Sequence, residues 1–242
     1  MDEDLVRMER NAVMEIIQAG RTGENAREIG LGAMFLADHL INLFESNNLL
    51  PRPIVCQAGC DFCCYNQVEL TPPEALLMGD YVTQNFSDAE REQLLERLEC
   101  SSRLKSGKSK IEIAGIRREL PCPLLSQGRC SVYPVRPLLC RAMHSLDAGQ
   151  CEAELKSPRP LVEYYSHRGD LVFSVATGLI EGCRAQGCQS GALELAAALK
   201  DFFRQERPME RWIQGEEVFR FPSPMISGNL GGGRPDQESG EK

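Results

Sequence analysis

Four cysteines fall within nine positions of the segment CQAGCDFCC, at Cys56, Cys60, Cys63 and Cys64. A second block, CPLLSQGRCSVYPVRPLLCR, supplies Cys122, Cys130 and Cys140, and Cys151 follows eleven residues later. Thiolates are soft ligands that suit zinc, copper(I) or iron–sulfur clusters. The two blocks therefore predict a metal site with Cys56, Cys60, Cys63, Cys64, Cys122, Cys130, Cys140 and Cys151 as its ligands. Zinc prefers four ligands in a tetrahedron, commonly presented by paired C-x2-C knuckles, and only Cys60 and Cys63 make such a pair cleanly. Iron–sulfur clusters accept looser spacings, because their ligands attach to separate iron atoms. Adjacent Cys63 and Cys64 point apart in most backbone conformations, so they serve different metals or one of them only packs. The pattern leans toward an iron–sulfur cluster or iron, with zinc as the alternative.

Other residues in the same stretch bear on that chemistry. Arg136 and Arg141 flank Cys140, where they either lower thiolate pKa and offset a negative cluster or pair with carboxylates and fix the loop. His144 is available as a further ligand through a neutral imidazole; His39 and His167 are weaker options. Tyr133 reads as a packed aromatic. Cys100, at the end of a helical stretch, reads as core packing, whereas Cys183 and Cys188 in GCRAQGC offer either an extra ligand, a redox pair or ordinary packing.

Cysteine is also the outlying number in the composition, at eleven of 242 residues. The odd count prevents complete disulfide pairing within one chain, and clustered cysteines in a reducing compartment read as metal ligands or redox groups. A hydrophobic content of 42% and a charged content of 26% describe an ordinary globular chain. The net charge of −8 argues against a general nucleic-acid binder, which must neutralise phosphates. The opening MDEDLVRMERN shows no secretory signal. The most apolar stretch, LGAMFLADHLINLF, is broken by Asp38 and His39 and is too short to span a bilayer. A cytoplasmic location and no membrane partner are the resulting expectations.

The elements that must position the cysteines read as helices. Leu5, Met8, Ala12, Ile16 and Ile17 form one apolar stripe, and Ile29, Ala33, Leu36, Leu40 and Phe44 form another, giving an N-terminal helical pair over 1–50. Thr71 with Glu74, and Ser87 with Glu90, make two capping boxes that start consecutive helices after the first cysteine block. A helical hairpin of this kind can bring its two ends, and so both cysteine blocks, to one place. SSRLKSGKSK reads as a basic connecting loop, and Pro121 to Cys151 as loop and short helix shaped by what the cysteines bind. LVEYYSHRGDLVFSVATGLIEGC, which Gly169 has the means to interrupt, and ALELAAALKDFFRQE read as two more helices.

The fold expectation is mainly α: a single helical domain with a cysteine-rich, metal-organised loop region and a disordered C-terminal tail. Its parts are an N-terminal helical pair (1–50), a cysteine-cluster module (51–155), C-terminal helices packed on that module (156–221) and the tail (222–242).

Taken together, C-x3-C-x2-CC, the C-P at Cys122 and Pro123, Cys130 ahead of Tyr133, Arg136 and Pro137, and the pair Cys140 and Arg141 resemble the YkgJ-type cysteine-cluster family, a zinc- or iron-chelating domain. The resemblance covers roughly residues 51–155 and implies metal binding rather than a particular reaction. Enzymes that methylate flagellin lysines carry a similar cysteine pattern with an iron–sulfur cluster. By analogy this suggests a protein substrate or redox partner.

The C-x3-C-x-aromatic-C spacing, with Phe62 as the aromatic residue, is also similar to that of radical S-adenosylmethionine enzymes. Those carry the motif after an early strand of a β/α barrel, whereas here helices surround it. The expected function is metal binding for redox chemistry or protein modification. A structural zinc module and a radical or methyltransferase-like enzyme are the alternatives, and whether the protein is an enzyme stays open.

Overall fold

The computed structural model describes residues 1–47, 49–157 and 162–220; the expected disordered tail, 222–242, lies outside them. The fold is mainly helical. Helix α1 (Glu3–Ala19) starts where the Asp2 carboxylate accepts hydrogen bonds from the backbone N–H groups of Asp4 and Leu5, and α2 (Gly23–Asn47) follows after a short turn. Then come β1 (Glu69–Leu70), α3 (Pro72–Asn85), α4 (Asp88–Lys105) and α5 (Lys110–Gly115). The hairpin β2 (Leu125–Ser126) and β3 (Arg129–Cys130) leads to α6 (Leu138–Ala142), α7 (Ala148–Lys156) and α8 (Ser166–Ala185). The described chain ends with β4 (Leu193–Glu194), α9 (Leu195–Phe203) and α10 (Pro208–Ile213). Strand pairing is minimal: β1 lies antiparallel to β4, and β2 to β3.

Helix α8 is the central element, with α1 and α2 against it and α6 on another side, while α9 joins α3 and α4. Both expected capping boxes form. The Glu74 carboxylate accepts from the Thr71 N–H and hydroxyl, and Glu90 does the same for Ser87. A third box, Ser109 with Glu112, starts α5 inside the stretch expected to be a loop, and α4 runs five residues past Cys100. The serine–x–x–glutamate signal was present there, hidden by the basic, small-residue composition around it.

The stripe on α1 differs from the expected one. Leu5, Glu9, Val13 and Ile17 are buried, while Met8 and Ala12 are exposed. The cause lies on the partner helix, where Gly178 and Gly182 let α1 approach α8 closely along an i, i+4 row. A Cβ at position 178 would stand 2.5 Å from the Val6 carbonyl oxygen and 2.7 Å from the Glu9 Cβ. Gly178→Ala is therefore expected to destabilise the protein by about 1–3 kcal/mol despite alanine's better helix propensity, as measured by urea denaturation. Gly169 is buried inside α8 and does not interrupt it. That helix starts only at Ser166, because the Tyr165 N–H is taken by His144. Residues 208–213, not expected as an element, form α10 and bury Trp212.

Candidate metal centre

Local backbone geometry presents each thiol. Cys60 N–H donates to the Gln57 carbonyl at 3.0 Å, closing a turn whose third residue, Gly59, has φ +91°. That left-handed position explains a glycine between the first two cysteines. Residues Phe62–Tyr65 form a 3-10 turn carrying Cys63 and Cys64. The β2–β3 hairpin turns through Gln127 and Gly128, both at positive φ as a two-residue primed turn requires, and so delivers Cys130. Cys140 sits on α6, and Cys151 on α7, whose first turn is capped by Asp147.

The two cysteine blocks meet. The Cys122 N–H donates to the Cys64 carbonyl at 2.7 Å, and the Val55 N–H donates to that of Ser145 at 3.0 Å. The α3–α4 hairpin thus brings its ends together.

All eight cysteines are free thiols; Cys56 and Cys63 are exposed and the other six half-buried. Their mutual influence sorts them into two groups. Burial raises the Cys56 pKa, and the neighbouring thiols of Cys60, Cys63 and Cys151 raise it further. Cys151 is raised by burial and then by Cys60 and Cys63, against a lowering hydrogen bond from Ser145. These four line a cavity of about 50 Å³.

Deeper in the module, burial pushes Cys122 up to about 11, with the Cys130 charge adding to it. Cys140 is raised well above a free thiol by burial and by Cys122, Cys63 and Cys130. Cys63 stands between the groups: a hydrogen bond from the Cys64 thiol stabilises its thiolate and brings its pKa to about 7, while Cys64 is pushed up.

This donor set fits a thiophilic metal. Most of the thiols are held protonated by burial and mutual repulsion, so a bound cation would supply the charge that ionises them, releasing protons. Among the described residues no three His, Cys, Asp or Glu side chains stand within ligating reach of one ion. Loading would have to draw the thiols together.

A buried ionic frame supports the module, and sequence reasoning found only part of it. The Arg141 side chain is 1% exposed; it donates to the carbonyls of Arg136 (3.0 Å) and Pro134 (2.7 Å) and pairs with Asp38 of α2. Glu74, fully buried, accepts from the Leu138 N–H at 2.6 Å while capping α3, so one carboxylate ties the start of α3 to the start of α6. Arg168 of α8 binds Glu45 of α2 and the carbonyls of Arg141 and Ala142. A charge at Asp38 inside the most apolar stretch was the legible sign; the sequence marked Glu74 only as a helix cap and did not mark Arg168 at all.

Of the two arginines flanking Cys140, Arg141 therefore fixes the loop. Arg136 lies over the Tyr133 ring at 4.0 Å and lowers the Cys130 pKa against the larger effect of burial. Tyr133 itself is exposed rather than packed in the core.

Three secondary expectations are corrected or decided. His144 is buried with both nitrogens engaged: Nε2 accepts from the Tyr165 N–H at 2.9 Å and Nδ1 faces the Ala142 carbonyl at 2.9 Å. Burial and the Arg168 charge lower its pKa, so it is a neutral bracket with no lone pair to spare for a metal. Cys100 is exposed rather than packed in the core, because α4 continues past it with that face outward. Cys183 and Cys188 are buried in the core at the end of α8, where Cys188 lies against the Ile213 carbonyl and Arg21, so both pack in the core. His39 is exposed beside Phe35, and His167 packs against Phe44.

Fold and site together define a helical protein with a cysteine-cluster module set against its bundle. Residues 55–158 match the model of the CxxCxxCC family, described as a "Putative zinc- or iron-chelating domain", and this match takes in all eight clustered cysteines. The match spans a little under half of the chain. No curated protein and no solved structure matches it.

Proposed function

We propose that the two thiol groups hold iron as an iron–sulfur cluster, and that this centre performs redox chemistry toward a protein partner or substrate. The observation that carries this reading is the position of the module relative to the core. Structural zinc supplies folding energy where a chain cannot build a sufficient core. Here α1, α2, α3, α8, α9 and α10 supply most of a continuous core, including Trp212, Ile29, Leu76, Leu179 and Leu199, which Leu124 and Leu138 join from beside the cysteines. A core built mainly outside the cysteine-bearing segments favours a metal used for chemistry over one that only closes the fold.

The loose spacings and the position of Cys63 between the two thiol groups also suit iron–sulfur ligation better than paired zinc knuckles. The radical S-adenosylmethionine alternative gains nothing from a helical fold whose described strands are four two-residue pieces. Among the described residues, no helix is long and apolar enough to cross a membrane.

Protein purified without oxygen is expected to be coloured, with iron and acid-labile sulfide present together and sulfur-to-iron charge-transfer absorption. Cys64→Ser and Cys140→Ser are each expected to lose most of the iron while keeping the helical far-ultraviolet signal. Colourless protein carrying stoichiometric zinc and no iron would replace this reading with the structural zinc one.

A further inference from the structure

A cleft of about 880 Å³ lies between the end of α4, α5 and α9, far roomier than the cysteine pocket of about 50 Å³. Its size is that of a small-molecule site. Five cations line it, Lys105, Lys108, Arg117, Lys200 and Arg204, against two carboxylates, Glu194 and Asp201. In a chain of net charge −8 that is a strong local reversal of sign.

Both carboxylates are already engaged. Glu194 pairs with Lys105 at 2.7 Å and caps α9 through the Ala197 N–H, while Asp201 accepts from the Arg220 backbone N–H and forms an ion pair with its guanidinium. Lys200 reaches out of the cleft to Glu99. Lys108 and Arg204 make no ion pair among the described residues, and both are exposed.

Two further atoms on this wall lack partners. Ser102 Oγ and Arg117 Nη2 are buried with no hydrogen bond, although buried polar atoms are nearly always satisfied. The nearest carboxylate to the Arg117 guanidinium is Glu154, at 3.8 Å and therefore not hydrogen-bonded. Arg117 and Asn66 line this cleft and the small cysteine cavity alike, so the two spaces share a wall. Tyr65, Ile113, Ala114 and Ala197 add apolar surface.

We infer that this cleft binds a small organic anion, its carboxylate or phosphate group held by Lys108, Arg117 and Arg204 and its apolar body against Tyr65, Ile113 and Ala197. The inference goes beyond metal binding and does not need it: Lys108 lies between α4 and α5, Arg117 just after α5 and Arg204 just after α9, and none of them is one of the cysteines. The stretch SSRLKSGKSK is then a binding element rather than a solvated connector.

The test uses the full chain at low ionic strength, titrated with 8-anilinonaphthalene-1-sulfonate followed by fluorescence. Phenyl phosphate and benzoate serve as separate competitors to distinguish a phosphate from a carboxylate site. Saturable one-to-one binding is expected, displaced by at least one competitor and weakened by raising the salt. The double variant Lys108→Glu with Arg204→Glu, both at exposed positions, is expected to bind at least tenfold more weakly while keeping its thermal unfolding midpoint and iron content. Arg117→Gln should also weaken binding, and Arg7→Glu on α1, remote from the cleft in sequence and fold, should not.

Binding unchanged in the double variant, or lost equally in Arg7→Glu, would overturn the inference, as would the absence of saturable binding. Iron measured on the same samples keeps that failure separate from a failure of the metal reading.

Discussion

Replacing Arg141 by methionine is expected to lower the free energy of unfolding by about 3–5 kcal/mol. The guanidinium is almost fully enclosed and satisfies two carbonyls, those of Pro134 and Arg136, that have few other partners in the loop before α6. It also pairs with Asp38 and lies near the buried Glu74, whose pKa it pulls down against the larger upward effect of burial. Methionine fills the volume but leaves the two carbonyls unpaired and Glu74 without a nearby cation. An unpaired buried charge is costlier than an unpaired dipole. Asp38→Asn leaves the enclosed Arg141 guanidinium its two carbonyls, the nearby Glu74 and an amide oxygen in place of the carboxylate, so it should cost less, about 1–3 kcal/mol. Urea denaturation of both variants checks the ordering; a loss below 1 kcal/mol for Arg141→Met would mean that the loop holds itself. Because this loop leads from Cys130 to Cys140, metal content should fall with stability in Arg141→Met.

Glu9→Gln is expected to do the opposite and stabilise the protein by about 2–3 kcal/mol at pH 8. Glu9 is 5% exposed in the stripe of α1 that faces α8, with no hydrogen bond or ion pair among the described residues. Burial raises its pKa to about 7 from 4.5. Between those values the unfolded chain has lost the proton while the folded one keeps it. This group's contribution is therefore complete below about pH 4.5 and is lost as the pH rises to and beyond about 7. The glutamine variant removes that slope, so the two proteins should be nearly equal in stability at pH 4.5 and diverge toward pH 8. Equal stability at both pH values would show that water reaches the carboxylate and that burial does not hold it neutral.

How much of this was legible beforehand depended on the range of the interaction. The helix starts at Thr71 and Ser87 were readable because a capping box is closed within four residues. The same local chemistry at Ser109 was there to be read as well. The mainly helical class followed from apolar periodicity, and the cysteine module followed from residue types at fixed spacing.

The inward face of α1 was not legible in the same way. It was set by Gly178 and Gly182 on a helix far away in sequence, which select an i, i+4 row that admits Glu9 and leaves Met8 outside. His144 was a reasonable ligand by type and spacing, and only the Tyr165 N–H, arriving from the segment before α8, removed it.

The sequence by itself determined the helical class, the two clustered cysteine blocks and the hairpin joining them, because each depends on residue type and short spacing. The tertiary structure alone decided how the thiols divide, which arginine braces the loop, and that cations on and around the ends of α4, α5 and α9 line one cleft beside them. Those outcomes depend on which distant groups packing brings together, and on which charges it strips of water.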